Sequence, residues 1–111
     1  MRVYSWDGRN IGHIAEHGIA PTEAREVVEH ARPPFPQYVG DGKWLVRGQA
    51  QTGRWLQVVY VYPDDRDVDP DSLSIADLLV YSDGQAQVVR VIHARPLTDA
   101  EKRKSRRRGR P

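Results

Sequence analysis

The chain of 111 residues contains no cysteine. A disulfide scaffold and a thiolate metal site are therefore both excluded. No apolar run approaches the roughly 20 residues needed to cross a bilayer. The start, Met1 to Asp7, lacks the apolar core of a secretion signal. A cytoplasmic location without a membrane partner is expected. There is no internal repeat. A chain of this length has room for one modest core and not for two. Hydrophobic residues make up 39% and charged residues 29%, the balance of a folded domain and not of a disordered one.

Net charge is only +2, but it is unevenly placed. Residues 96–111 hold seven Lys/Arg against two Asp/Glu, a net +5, and residues 1–95 hold ten against thirteen, a net −3. A weakly acidic body with a cationic end attracts nucleic acid or an acidic protein. The competing reading is a solvated helix without a partner. Residues 86–95 read as a strand, Pro96 to Thr98 break it, and Asp99 to Arg108 read as a basic helix. A strand that ends in His93 and Arg95 and hands over to a cationic helix sets positive charge at a sheet rim. RNA is the first candidate polyanion.

Arg2 to Ser5 is a short candidate edge strand. Asp7 is an N-cap type, and Arg9 to His17 reads as a helix with Ile11, Ile14 and Ala15 on one face and Gly18 just past its end. Pro21 and Glu23 suit the first turn of a second helix, whose stripe is Ala24, Val27, Val28 and Ala31. Pro33, Pro34 and Pro36 end it. Lys43 to Ala50 and Arg54 to Tyr62 form a hairpin through Thr52 and Gly53. The second run is apolar on both faces except at Gln57, which predicts a central strand. An Asp/Pro-rich loop follows at 63–72. Ser74 then caps a short helix over Ile75 to Tyr81, with a strand as the competing reading. The expected class is α+β: a small antiparallel sheet with two N-terminal helices and a C-terminal helix packed mainly on one face.

Trp6-Asp7, Asn10, the run His13 to Ile19, Glu23-Ala24 and Glu26 to Val28 together resemble the N-terminal half of the BrnT-type toxins. Gly53-Arg54, Leu56 and Val58 to Tyr60 are similar to their central hairpin. Val89 to Arg95, then Thr98 and Glu101 with basic residues after, are similar to their closing strand and helix. The resemblance implies a RelE/ParE-like fold and a ribonuclease toxin of a type II toxin–antitoxin pair. It also implies a cognate antitoxin that covers the active surface, with a possible toxin–antitoxin oligomer. Two departures stand out. Residues 64–83 are an insertion whose aspartates would repel RNA near the site, and Ser105 stands where an aromatic is common. One domain over 1–104 is expected, with 105–111 a disordered basic tail.

RNA can be cleaved without a metal or other cofactor, because its 2′-hydroxyl is a built-in nucleophile. The protein must take that proton, neutralise the phosphorane and protonate the leaving oxygen. Arg54, Arg90 and Arg95 match family positions and are candidate phosphate groups, and His93 is the candidate acid or base. Arg47, with Lys43 behind it, and Lys102, Arg103 and Arg106 of the basic helix are candidate RNA contacts. Alternation puts Val88, Arg90, Ile92 and Ala94 on one face of the last strand and Val89, Val91, His93 and Arg95 on the other. An arginine-gripped site needs these groups to converge on one side of the sheet. Groups that are scattered, or each neutralised by an internal acid, would leave a scaffold. His17 is expected to cap its helix or pack on Trp6. Trp44 and Trp55 are expected to share a hairpin face, and any of the three tryptophans is able to stack on a base.

Two other classes compete. One is a non-catalytic domain of the same fold that binds nucleic acid or protein. The other is a metallohydrolase, because His13-Ile-Ala-Glu-His17 matches H-x-x-E-H. The two-turn helix closed by Gly18 argues against the latter, because such peptidases are far larger chains with a distant third ligand and a substrate cleft. The acidic loop lacks the glycine of a calcium loop.

Overall fold

A computed structural model describes residues 1–108, with side chains as far as Ser105. Five strands form one sheet in the order β1-β5-β4-β3-β2: β1 (Arg2–Tyr4), β2 (Gln37–Gly40), β3 (Lys43–Gln49), β4 (Trp55–Val61) and β5 (Gln87–Pro96). Four helices accompany them: α1 (Gly8–Ala15), α2 (Pro21–Glu29), α3 (Ile75–Ser82) and α4 (Asp99–Arg108). The α+β class holds. β4 is central, as its two-sided apolarity requires.

Register decides which side chains share a face. Leu56, Val58 and Tyr60 of β4 pair with Pro96, Ala94 and Val91 of β5, and with Gly48, Val46 and Trp44 of β3. This row faces the main core, where Leu56, Val58, Val46, Val91 and Ala94 are fully buried. α2 lies over it. A Cβ on Gly48 would stand 3.6 Å from Val27 Cγ1, so the helix rides close to β3. The opposite row sets Gln57, Val59 and Val61 beside Arg95, His93 and Arg90, with Arg47 and Leu45 across on β3.

Strict alternation had placed Arg90 on the face opposite His93 and Arg95. The partners of the adjacent residues Val59 and Tyr60 are His93 and Val91, so Ile92 is an extra residue in β5. This bulge shifts the phase by one. It keeps Val89, Val91 and Ala94 in the core and brings Arg90, His93 and Arg95 to one face.

Four further expectations are corrected. β1 pairs parallel with β5, so the sheet is mixed. A parallel pair needs a long connection, and here the whole body of the domain intervenes. The helices are not confined to one face, because α4 bonds to the Arg47 and Arg95 row while α2 covers the other. β2 was not foreseen: it is only four residues long, it follows a proline cluster, and it turns into β3 through Gly40, Asp41 and Gly42, all at positive φ. Trp44 and Trp55 point to opposite faces. Trp44 pairs with Tyr60 on the core side, and Trp55 pairs with Gln49 on the other. The helix α4 runs from Asp99 to Arg108, the bounds its sequence predicts, so the first part of the tail expected to be disordered, 105–108, is helical. Residues 109–111 of the expected tail lie outside the described residues.

The 64–83 segment closes the outer edge of β1. Ser74 caps α3 as expected, its Oγ accepting from Asp77 N at 3.1 Å. The buried Asp77 Oδ2 accepts from the edge amide of Tyr4 at 3.0 Å and from Arg25 Nη1 at 3.2 Å. An exposed strand edge is thereby satisfied. Leu73 joins Val3 and Val88 in a second small core on the face away from α2. Substituting Asp77→Ala leaves a buried amide unpaired, so the urea midpoint should fall by the equivalent of about 1–3 kcal/mol. Asp77→Asn, which keeps an acceptor oxygen, should lose clearly less.

Candidate active site

α1 runs beside β5, in the stretch where β1 has already ended. Asp7 caps it, accepting from Arg9 N and Asn10 N at 2.9 Å each, while the Asn10 side chain accepts from Asp7 N at 2.7 Å. Two arginines hold its two ends. Arg90 Nη2 donates to the capping Asp7 Oδ2 at 2.8 Å. Arg54 Nη1 donates to Gly18 O at 2.7 Å, and Nη2 reaches His17 O at 3.4 Å, in the turn that closes the helix. Gly18 makes that turn possible with a φ of +68°.

Arg54 is tied further to the buried Glu23, whose Oε1 lies 3.3 Å away. Thr52 Oγ1 and Ala20 N also donate to that carboxylate. Burial pushes the Glu23 carboxyl up, but these hydrogen bonds and the Arg54 charge outweigh it and leave the group below its ordinary value. Asp7 is likewise held below its ordinary value, chiefly by the Asn10 amide and also by Arg90.

A second cluster stands where α4 meets β3, β4 and β5, on the face away from α2. Arg95 forms a two-pronged pair with Glu101, at 2.8 Å from Nη1 to Oε1 and 2.9 Å from Nη2 to Oε2. Arg47 Nη2 meets the same Oε2 at 2.9 Å. The buried Gln57 stands between the two arginines, its Oε1 accepting from Arg47 Nε at 3.0 Å and Arg95 Nη2 at 3.3 Å. Thr98 and Glu101 also cap α4 reciprocally, with Thr98 N donating to Oε1 at 2.9 Å and Glu101 N to Thr98 Oγ1 at 3.2 Å. Arg95, then Thr98, holds the Glu101 carboxyl far below the usual carboxylate range. One carboxylate is shared by two guanidinium groups, so the cluster keeps a net positive charge.

The sequence-expected residues thus separate. Arg47 and Arg95 come together. Arg54 lies toward α2, and Arg90 lies at the start of α1. Each of the four has a carboxylate partner, so they do not converge as one phosphate grip. Their charge and length serve the frame: Arg54 and Arg90 fix α1, while Arg47 and Arg95 fix α4. Lys43 is exposed at the start of β3. Lys102 sits 3.8 Å from Asp99, and Arg103 is exposed on α4. The Arg106 side chain lies outside the described residues.

His93 is exposed beside Arg95 and meets a partner that sequence reasoning had assigned elsewhere. The rings of His93 and His17 are 5.8 Å apart at 77°. Trp6, the expected neighbour of His17, stacks instead on Tyr4 at 6.3 Å. Burial, then the charges of His17, Arg95 and His13, hold the His93 imidazole below its ordinary value. A shallow cleft of about 310 Å³, lined by Arg9, Asn10, His13, Arg90 and Ile92, lies alongside. The spacing of His13 and His17 was the available signal for this site. The sequence offers that spacing as a metal motif and argues against it; that His17 meets His93 depends on β5, far away in the chain. Among the described residues no three His, Cys, Asp or Glu side chains group as a metal cage would.

No protein-family model matches this chain, and no curated protein matches it.

Proton NMR should find the His93 imidazole titrating below 6.5. In His17→Ala it should titrate closer to the ordinary value, because one positive neighbour is gone. The sign for stability follows. The unfolded chain protonates His93 first, so this group lowers stability as pH falls from about 6.5 through the folded pKa and has no effect above it.

Proposed function

We propose that this protein is a metal-independent endoribonuclease of the BrnT-like toxin kind, with its reactive centre at His17 and His93 rather than at an arginine cluster. The observation that carries the reading is the contact of two exposed imidazoles, 5.8 Å apart, beside a guanidinium. A site that transfers a phosphoryl group within RNA needs one base and one acid, and two histidines supply both near neutral pH.

His93, biased toward its neutral form by burial and positive neighbours, takes the proton of the 2′-hydroxyl. The 2′-oxygen bonds to phosphorus. His17 as imidazolium gives its proton to the 5′-oxygen as the phosphorus–O5′ bond breaks. The products are a 2′,3′-cyclic phosphate and a 5′-hydroxyl end. The charge of Arg95 adds to the positive field around the phosphorane. A cognate antitoxin that covers this face would keep the enzyme silent. No helix among the described residues is long and apolar enough to cross a membrane.

A second reading has a specific observation in its favour. Arg47, Arg54, Arg90 and Arg95 each pair with an internal acid, as in a structural frame. That favours a domain that binds nucleic acid without cutting it.

The test is incubation of the purified protein with a single-stranded RNA in the presence of EDTA, with analysis of the new ends. Cleavage to cyclic phosphate ends is expected. His93→Ala and His17→Ala should each slow it by about 10²- to 10⁴-fold with the fold intact by circular dichroism. Intact RNA, bound with an affinity that falls steeply with salt, would establish the second reading instead.

A further inference from the structure

Ile92, the residue of β5 without a partner on β4, lines the cleft of about 310 Å³ between α1 and β5. Arg9 and His13 form the helix wall, one turn apart, and Arg90 stands beside Ile92 on the strand wall. No Asp or Glu lines this cleft. Arg9 and His13 are exposed, and neither side chain has a hydrogen bond or ion pair among the described residues. They differ in this from Arg47, Arg54, Arg90 and Arg95, each held by a carboxylate. Arg90 bonds to Asp7 through Nη2, so other N–H groups of its guanidinium remain. Asp7 itself is fully engaged: Oδ1 accepts from two amides and Oδ2 from Arg90. Glu16 lies past the end of α1, beyond the cleft.

We infer that this cleft is a second phosphate subsite: it holds the RNA phosphate adjacent to the one being cut, through Arg9, His13 and Arg90, with a ribose against Ile92. The inference deepens the ribonuclease reading and rests on it in one respect, that the strand bound here is the strand cut at His17 and His93. Guanidinium groups suit phosphate oxygens in charge and planar geometry. An apolar side chain among the cations suits the carbon-rich unit of a nucleotide better than a bare ion. The volume is at the lower end of the roughly 300–1,000 Å³ of small-ligand sites, enough for one such unit.

Spacing joins the cleft to the reactive centre. Arg9, His13 and His17 follow one another at intervals of four residues, each about 6 Å along a helix axis. Successive phosphates of an extended strand are a similar distance apart. A strand laid along α1 with one phosphate at His17 and His93 therefore brings the next to His13 and Arg9. The two places are within electrostatic reach, since the charge of His13 acts on His93.

The inference is tested with a uridine tetranucleotide carrying 2′-O-methyl groups, which binds without being cut because its nucleophile is blocked. Titration should move the His13 ring signals saturably in proton NMR, with His13→Gln to assign them. The double variant Arg9→Gln, His13→Gln changes two exposed groups without partners and should keep its circular dichroism. It should bind the tetranucleotide about tenfold or more weakly than the parent. Arg9→Gln alone should lower the slope of log K against log salt by about 0.7. Arg66→Gln removes the same charge from the aspartate-rich loop and should change neither quantity. With cleavable substrates, the double variant should lose about tenfold or more in kcat/KM on the uridine tetranucleotide and less than twofold on the dinucleotide, which has a single phosphate.

His13 signals that stay still at millimolar tetranucleotide overturn the inference. So does a folded double variant that binds as well as the parent. A tetraglutamate peptide that moves His13 as tightly as the tetranucleotide overturns it in favour of an acidic protein partner. Cleavage that is indifferent to Arg9, His13 and substrate length removes the subsite and leaves the ribonuclease. Binding of the tetranucleotide at His13 by a protein that cuts no RNA keeps the phosphate site and removes the ribonuclease.

Discussion

One extra residue in β5 sets the chemistry of this surface. Ile92 has no counterpart on β4, and the side chains after it are turned by one step. Without that step either Arg90 or the pair His93 and Arg95 would point into the core. The core accepts only Val89, Val91 and Ala94 from this strand, because an unpaired charge in the apolar layer would cost several kcal/mol. The bulge satisfies both demands. It leaves a continuous apolar row beneath the sheet and a row of Arg90, His93 and Arg95 above it. Bulges recur beside functional sites for this reason, since they re-aim side chains without breaking the sheet.

Around that row the carboxylates act as organisers. Glu101 holds two arginines, caps α4, and ties the last helix to the sheet. Asp7 caps α1 and receives Arg90. Glu23 caps α2 and receives Arg54 and Thr52. In each case one acid completes a helix start and also meets a cation from the sheet. Helix placement and charge balance are thereby the same set of bonds. His17 and His93 are left outside this scheme, exposed, with their rings against one another. This distinction between frame and free chemistry moves the reactive proposal from arginine to histidine.

The aspartate-rich segment has a comparable double character. By composition alone it is a source of repulsion for RNA. In the fold it is turned to the β1 edge, where Ser72 and Asp77 bond to Ser5 and Tyr4. Its bonds go to the N-terminal strand and to α2, and it completes the sheet at the end where β5 has no histidine.

Much of the fold was legible because local signals carry it. Asp7, Gly18, Pro21 and Ser74 mark helix ends through capping and φ preferences that depend on a few neighbouring atoms. The two-sided apolarity of residues 55–62 marks a central strand, because only burial on both faces makes such a run stable. The candidate site was legible only as a set of residue types. Which arginines are neutralised, which hairpin face each tryptophan takes, and that His17 meets His93 were settled by tertiary structure. The reason is that each depends on register between strands far apart in the chain, and a single unpaired residue at 92 inverts the face of everything beyond it.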